Sequence, residues 1–203
     1  MTTPIRSRAA AIAPIALVLI LASGCAGQTE TTSFTEADIR NTAQHARDAG
    51  YEAQAKLLDD GEADAEDYDT AFRRFSECIT TAGFTVSDPI VSPANSLTFE
   101  YVVDTGPFDP DEADRQIDAC GEEHLRFVTL AYRRSHEQRM DPALADAVAA
   151  CLNQHGAQLS GDERNVQDFL DAFDNREVFD DCISNEAIKL FPELPTLGWG
   201  TEQ

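Results

Sequence analysis

Three kinds of hydrophobic pattern divide the chain of 203 residues. From Ala9 to Ala22 every residue is apolar or proline, and two arginines but no acidic residue precede this run. Further along, apolar residues recur every three or four positions, which predicts amphipathic helices. The stretch Leu97–Val103 instead alternates, which is typical of a strand. The pattern predicts a mainly α fold with a small antiparallel β element, an α+β class.

The N-terminal apolar run has the form of a signal peptide. Its fourteen residues fall short of the roughly 18 to 20 that a membrane-spanning helix needs. The sequence Leu21-Ala22-Ser23-Gly24-Cys25 follows and resembles the bacterial lipobox, in which small residues precede a lipid-modified cysteine. The resemblance implies that residues 1–24 are removed and that lipid on Cys25 holds the protein at the extracytoplasmic face of the cell membrane. An ordinary secreted protein cut near Ala22 is the alternative.

Three polar or weakly apolar segments come next. Residues 25–33 lack large apolar side chains, which is typical of a tether behind the lipidated cysteine. Residues 34–60 carry a thin apolar face, which predicts one N-terminal helix capped by Ser33. The run from Asp59 to Asp69 predicts an acidic linker.

The rest of the chain contains an internal repeat, which we name repeat 1 (64–140) and repeat 2 (141–203, including a C-terminal tail). At a constant offset of 73, Phe75 matches Val148, Cys78 matches Cys151, Ile79 matches Leu152, Gly83 matches Gly156 and Ser87 matches Ser160. Downstream, the segments ending in Cys120 and Cys182 match at an offset of 62. Each repeat predicts a helix ended by glycine, a short strand and a second helix.

Capping residues predict where the second helices begin. In repeat 1, Asp109 with Glu112 has the form of an N-cap followed by a capping-box glutamate. In repeat 2, Ser160 with Glu163 has the same form. The alternating strand of repeat 1 is expected to pair with Phe84–Val86.

Cysteine usage predicts two disulfides. If Cys25 carries lipid, four of the five cysteines remain, an even number for an oxidising compartment. Within each repeat the two cysteines lie on helices that must return to each other, so the economical pairing is Cys78 with Cys120 and Cys151 with Cys182. A crossed pairing between the repeats is the alternative.

Repeat 1 also resembles a known group of proteins. Phe75, Cys78, Ile79 and Gly83, then Asp88-Pro89 and a distant helical cysteine, form a motif similar to one in secreted and lipid-anchored actinobacterial proteins, which are mostly uncharacterised. The resemblance implies a disulfide-stapled helical fold and no particular activity. Repeat 2 departs from the motif, with Gly161-Asp162 in place of Asp-Pro.

Charge and motifs narrow the classes of function. Removal of residues 1–24 leaves 13 basic against 37 acidic residues, a formal charge of −24, so nucleic acid and anionic membrane surfaces are poor partners. The chain has no nucleophile elbow, Walker loop, HExxH or CxxC, so we expect no enzyme and no cofactor. We expect a non-catalytic envelope lipoprotein that binds a protein, a polymer or a small ligand. The alternative is a cell-wall hydrolase that uses acidic residues such as Glu77 and Glu123.

Metal binding is a weaker alternative. His124 and His155 each follow a cysteine by four positions, so with Cys120 and Cys151 they have the ligand types of a zinc site. Cysteines outside the cell usually oxidise, so we expect no metal. The acidic runs 59–69 and 104–114 lack the glycine and glutamate of a calcium loop, and capping or surface roles are expected for them.

The C-terminal tail carries large apolar residues between prolines, namely Phe191, Leu194, Leu197 and Trp199. An exposed partner surface is one interpretation of them. We expect instead that they fold back as a strap over the core.

Overall fold

The computed structural model describes residues 34–194. The predictions for the signal peptide, Cys25, Leu197 and Trp199 lie outside the described residues. In chain order the elements are α1 (Glu36–Asp48), α2 (Glu52–Leu57), α3 (Ala65–Thr81), β1 (Thr85–Val86), β2 (Ile90–Val91), β3 (Phe99–Glu100), β4 (Val103–Asp104), α4 (Pro110–His124), α5 (Arg126–Ser135), α6 (Pro142–Gln154), α7 (Val166–Ala172) and α8 (Arg176–Leu190). This mainly helical architecture with small antiparallel strands confirms the predicted α+β class. Within 34–194, no helix combines the length and the apolar character needed to cross a bilayer.

The N-terminal segment 34–60 forms two helices, so the prediction of one helix was wrong. Helix α1 ends where Gly50 takes a positive φ of 88°. The Tyr51 amide then donates to the Ala46 carbonyl at 2.8 Å, which satisfies an otherwise unpaired carbonyl of the last turn. The chain turns at this point and starts α2 one residue later.

Capping of the first and third helices also differs from the prediction. Thr35, and not Ser33, caps α1: its hydroxyl accepts from the Asp38 amide, and the Asp38 carboxylate accepts from the Thr35 amide at 2.8 Å. The Thr35 hydroxyl also donates to the Asp38 carboxylate at 2.6 Å, and this bond, together with the one from the Thr35 amide, holds the pKa of Asp38 below its usual range. Asp64 and Asp67 form the same kind of capping box at the start of α3, so the acidic linker is shorter than predicted.

The predicted ends of the first helix in each repeat, and the predicted start of α4, are confirmed. Helices α3 and α6 end at Gly83 (φ 94°) and Gly156 (φ 89°), where an L side chain is disfavoured. After each glycine the next amide donates to the carbonyl five residues earlier, at 3.2 and 3.1 Å. Helix α4 begins as predicted, because Asp109 accepts from the Glu112 amide at 3.1 Å. The Glu112 side chain does not complete a capping box and accepts from Gln116 at 3.0 Å.

All described strands lie in repeat 1. β1 pairs with β4 and β2 pairs with β3, both antiparallel. The predicted strand 97–103 is therefore split into two, and its last residue, Val103, pairs with Val86 as expected. Between Pro142 and Leu194 the structure contains no strand, so the strand predicted for repeat 2 was wrong.

The described part of repeat 2, residues 141–194, contains three helices. Ser160 and Glu163 do not start a helix: the Glu163 carboxylate accepts from the Ser160 amide and hydroxyl, both at 2.8 Å, and closes a turn. Asn165 caps α7 instead, and Asn175 caps α8, which carries Cys182. The short helix α7 thus occupies chain that in repeat 1 forms strands.

Each repeat is closed by its own disulfide, as the economical pairing predicted. Cys78 bonds to Cys120 and Cys151 bonds to Cys182, with Cα atoms 5.8 Å apart in both staples. The first staple lies in a core with Phe72, Phe75, Ile79, Phe84 and Ala113. The second lies in a core with Leu144, Val148, Leu152, Phe169, Phe179 and Ile183. The two staples therefore stabilise separate cores.

A buried loop of repeat 1 joins the two repeats. Ala94 is 1% exposed and packs into the core of repeat 2. On either side of it, the Pro93 carbonyl accepts from the Asp141 amide at 2.7 Å and the Asn95 carbonyl accepts from the Arg139 amide at 3.0 Å. The loop therefore fixes the start of α6 against repeat 1.

Candidate binding groove

An open groove of about 990 Å³ runs along repeat 1 between α4 and α5. Its apolar lining consists of Phe75, Tyr101, Ile117, Leu125 and Leu130, and its polar lining of Asp118, Glu122, Arg126, Thr129 and Arg134, with Gly121 in the last turn of α4. An apolar floor with a few charged groups at the rim is the usual composition of a binding site.

The groove spans the junction of α4 and α5. The break between α4 and α5 falls at Leu125 (φ −114°, ψ −39°). Gln54 of α2 bridges this break and is 1% exposed. Its side-chain amide donates to the Glu122 carbonyl at 2.7 Å and accepts from the Phe127 amide at 2.7 Å. A side chain from α2 thus replaces backbone partners that a continuous helix would have supplied.

We expect Gln54→Leu to lower the free energy of unfolding by about 2 to 3 kcal/mol, since it leaves buried backbone groups of Glu122 and Phe127 without partners. Urea unfolding followed by far-ultraviolet circular dichroism measures this loss. Gln44→Leu is the matched control, because Gln44 is exposed and bonds only across one turn to Asp48. Equal stability of the two variants would show that Gln54 does not hold the break.

Aromatic rings build one wall of the groove. Tyr101 follows β3, and its ring centroid lies 5.0 Å from that of Phe72 and 5.4 Å from that of Phe75. Burial, with a smaller effect of the Glu100 charge, raises the pKa of Tyr101. Like any neutral tyrosine hydroxyl, the Tyr101 hydroxyl has a proton that it can donate to a ligand.

The rim carries both signs of charge. The Arg126 guanidinium donates to the Glu122 carboxylate at 2.5 Å, and this bond raises the pKa of Arg126. Asp118 and Arg134 are exposed on α4 and α5. Exposed ion pairs contribute little to the stability of the fold. These charges therefore act mainly on the association rate and the specificity of a ligand that binds in the groove.

Comparison of the repeats shows why the groove is open. Gly121 in α4 corresponds to Ile183 in α8, which is fully buried, and a Cβ atom added at Gly121 would meet no atom within 4 Å. Ile117 is half-buried in the groove wall, whereas its counterpart Phe179 is 0% exposed and packs on Phe169 of α7, ring centroids 6.3 Å apart. Positions that form the core of repeat 2 thus line an open groove in repeat 1. The sequence analysis did not predict this groove, although the mismatch at Gly121 was visible in the alignment.

The residues of the hydrolase alternative lie elsewhere. Glu77 on α3 and Glu123 on α4 are both exposed, and neither lines the groove. Glu123 lies instead beside the first staple, where one of its oxygens is 3.9 Å from Nε2 of His124. The structure does not place these two carboxylates in the groove.

The histidines of the zinc alternative lie beside the disulfides. Since Cys120 and Cys151 are bonded within their own repeats, a shared site of these cysteines with His124 and His155 does not form. A ring nitrogen of His124 lies within 4.8 Å of the Cys78 sulfur, and one of His155 within 4.8 Å of both sulfurs of the second staple.

Several acidic residues have the capping and surface roles that were expected. Asp64 and Asp109 cap helices, and Asp104 accepts from the Gly106 amide at 2.9 Å. Asp59 pairs with Arg47. At the other end of the chain, Phe191 packs against the core of repeat 2, as the strap prediction requires for its first residue.

Comparisons of the chain with protein-family models, with curated proteins and with solved structures found no match.

Proposed function

We propose that this protein is a non-catalytic lipoprotein of the cell envelope, anchored through lipid on Cys25, that binds a partner protein in the groove of repeat 1. The observation that carries the proposal is that Ile117 and Gly121 form an open groove at positions where repeat 2 has a closed core. The ligand is a polypeptide segment, for reasons of shape and of charge.

Repeat 2 supplies the argument from shape. There the amphipathic helix α7 places Phe169 against Phe179 of α8. The corresponding wall of repeat 1 offers Ile117, Leu125 and Leu130 around the space above Gly121. A partner helix with apolar residues on one face would cover these side chains in a comparable way, which is a common mode of peptide recognition.

Charge indicates a basic partner. The processed chain has a formal charge of −24, so long-range attraction favours a polypeptide with lysine or arginine beside its apolar face. At the groove itself Asp118 and Glu122 on α4 are balanced by Arg126 and Arg134 on α5, so the preference for a basic partner rests on the charge of the whole chain. We therefore expect partner binding to weaken as salt concentration rises, because salt screens the attraction between exposed charges.

The lipid on Cys25 would keep the binding domain near the membrane. Each buried CH₂ group of an acyl chain contributes about 0.8 kcal/mol, and two chains give stable attachment where one is marginal. Residues 26–33 form the predicted tether between the lipid and the start of the described domain. A tether of this length restricts the domain to partners at the same membrane surface.

We expect Gly121→Leu to abolish capture of the partner while the protein stays folded. The new side chain points into empty groove space, and replacing glycine inside a helix stabilises it by up to about 1 kcal/mol. The measurement is crosslinking and affinity capture from native envelopes with quantitative mass spectrometry. The captured protein is then purified and titrated at low and high salt.

Asn185→Leu is the matched control, since it adds the same side chain at an exposed position of α8 away from the groove. Capture should be lost with Gly121→Leu and retained with Asn185→Leu. If both variants capture the same proteins as the unmodified chain, the groove is not the binding site.

A further inference from the structure

Each disulfide in the described part of the chain has a histidine beside it. His124 follows Cys120 by four residues on α4, and His155 follows Cys151 by four residues at the end of α6. This spacing places cysteine and histidine on the same face of a helix, one turn apart. Both pairs involve a staple, and neither histidine takes part in the groove.

The second staple has the more complete set of metal ligands. The sulfurs of Cys151 and Cys182 and a ring nitrogen of His155 all lie within 4.8 Å of one another. Two thiolates and an imidazole are the protein ligands of a known class of zinc sites, in which a fourth position is open to water. Bond lengths of about 2.3 Å to sulfur and 2.0 to 2.1 Å to nitrogen allow one ion to reach all three atoms after small side-chain movements.

The surroundings of the second staple favour a cation. His155 caps the C-terminus of α6, where the helix dipole places partial negative charge. Its side chain is exposed, so an ion can reach it from solvent, while Cys182 is buried and Cys151 half-buried. The high negative charge of the whole chain adds a general attraction for divalent cations.

We propose that reduction of the second staple converts it into a zinc-binding site formed by Cys151, Cys182 and His155. A dithiol reductant transfers two electrons to the disulfide: the sulfur–sulfur bond breaks, two cysteine thiols form, and the reductant becomes a disulfide. Zn²⁺ then binds the two thiolates and the neutral imidazole, and two protons leave. The same chain therefore has a covalent staple when oxidised and a metal staple when reduced, independently of the groove and its partner.

The test measures Co²⁺ and Zn²⁺ binding before and after reduction with a phosphine, which reduces disulfides and is not itself a thiol ligand. The oxidised domain should show no thiolate-to-cobalt charge-transfer absorption. The reduced domain should show this absorption, and zinc should displace the cobalt. Zinc should also slow alkylation of Cys151 and Cys182 by iodoacetamide at least tenfold, as followed by peptide mass spectrometry.

His155→Ala is expected to remove one equivalent of bound ion and the protection of Cys151 and Cys182 from alkylation. His45→Ala is the matched control, because His45 is an exposed histidine on α1, and it should bind as the unmodified chain does. If reduction alone unfolds repeat 2, zinc should restore its helical circular dichroism. Binding that is unchanged in His155→Ala overturns the proposal, and so does a reduced chain that gains neither absorption nor helical signal with metal.

Discussion

Changing both Cys78 and Cys120 to alanine is expected to lower the free energy of unfolding by about 4 kcal/mol. The staple joins residues 42 positions apart, so its removal increases the conformational entropy of the unfolded chain, in which the disulfide no longer closes this loop. The second staple spans 31 positions, and its removal should cost about 3.7 kcal/mol in the same chain-entropy model. Losses of this size are a large part of the stability of a domain of this length.

Urea unfolding under non-reducing conditions measures both losses. The matched control for each double-alanine variant is the unmodified chain after reduction and alkylation, which should lose more than either variant because both staples are open. Hydrogen exchange then locates the loss: opening the first staple should speed exchange in α3 and α4, and opening the second should speed it in α6 and α8. A loss below 1 kcal/mol for either staple would contradict the entropic account.

Cys25→Ser is expected to move the protein completely from the membrane fraction to the soluble fraction, or to block its maturation. Serine has no thiol to receive the diacylglyceryl group that the lipobox resemblance implies for Cys25. Without acyl chains, an acidic domain with 13 basic and 37 acidic residues has little affinity for anionic lipid surfaces. Fractionation of cells and immunoblotting of both fractions measure the shift.

Ser23→Ala is the matched control, because it preserves a small residue two positions before Cys25 and leaves the cysteine in place. It should stay in the membrane fraction. Membrane attachment of Cys25→Ser equal to that of the control would mean that something other than lipid on Cys25 holds the protein there.

Helix ends were predicted correctly where a glycine coincides with the end of the apolar periodicity. Gly83 and Gly156 end α3 and α6 because a positive φ is required there and the apolar periodicity stops at the same residue. Gly50 has the same geometry, yet the helix was predicted to continue through it. The apolar face of that segment is thin, so its periodicity gave no clear stop, and the glycine itself was the better signal.

Capping patterns were less reliable than glycine, because the same hydrogen bonds stabilise turns. Ser160 and Glu163 bond to each other as a capping box would, but they close a turn that ends three residues before α7 begins. Asp109 caps α4 as predicted, supported by the proline that follows it. A capping pattern therefore indicates the start of a helix only when residues that favour a helix follow it directly.

The groove depends on contacts that are distant in sequence. Gln54 meets the backbone at Phe127, 73 residues further along, and no local pattern near Leu125 marks the break between α4 and α5. The disulfide pairing was predictable because each repeat contains two cysteines on helices that must return to each other. The groove was not predictable in this way, because it forms at positions where the two repeats differ. Gly121 opposite Ile183 was the informative difference.

The central claim, that repeat 1 binds a partner in its groove, is tested most directly by site-specific photo-crosslinking in native envelopes. A photoreactive amino acid replaces exposed Asp118 at the groove rim or, in a second strain, exposed Asn185 on α8. The account predicts that position 118 crosslinks to a partner protein and that this crosslink disappears when Gly121→Leu is added. Position 185 should not crosslink to the same partner. Equal crosslinking from both positions, or crosslinking from 118 that survives Gly121→Leu, would contradict it.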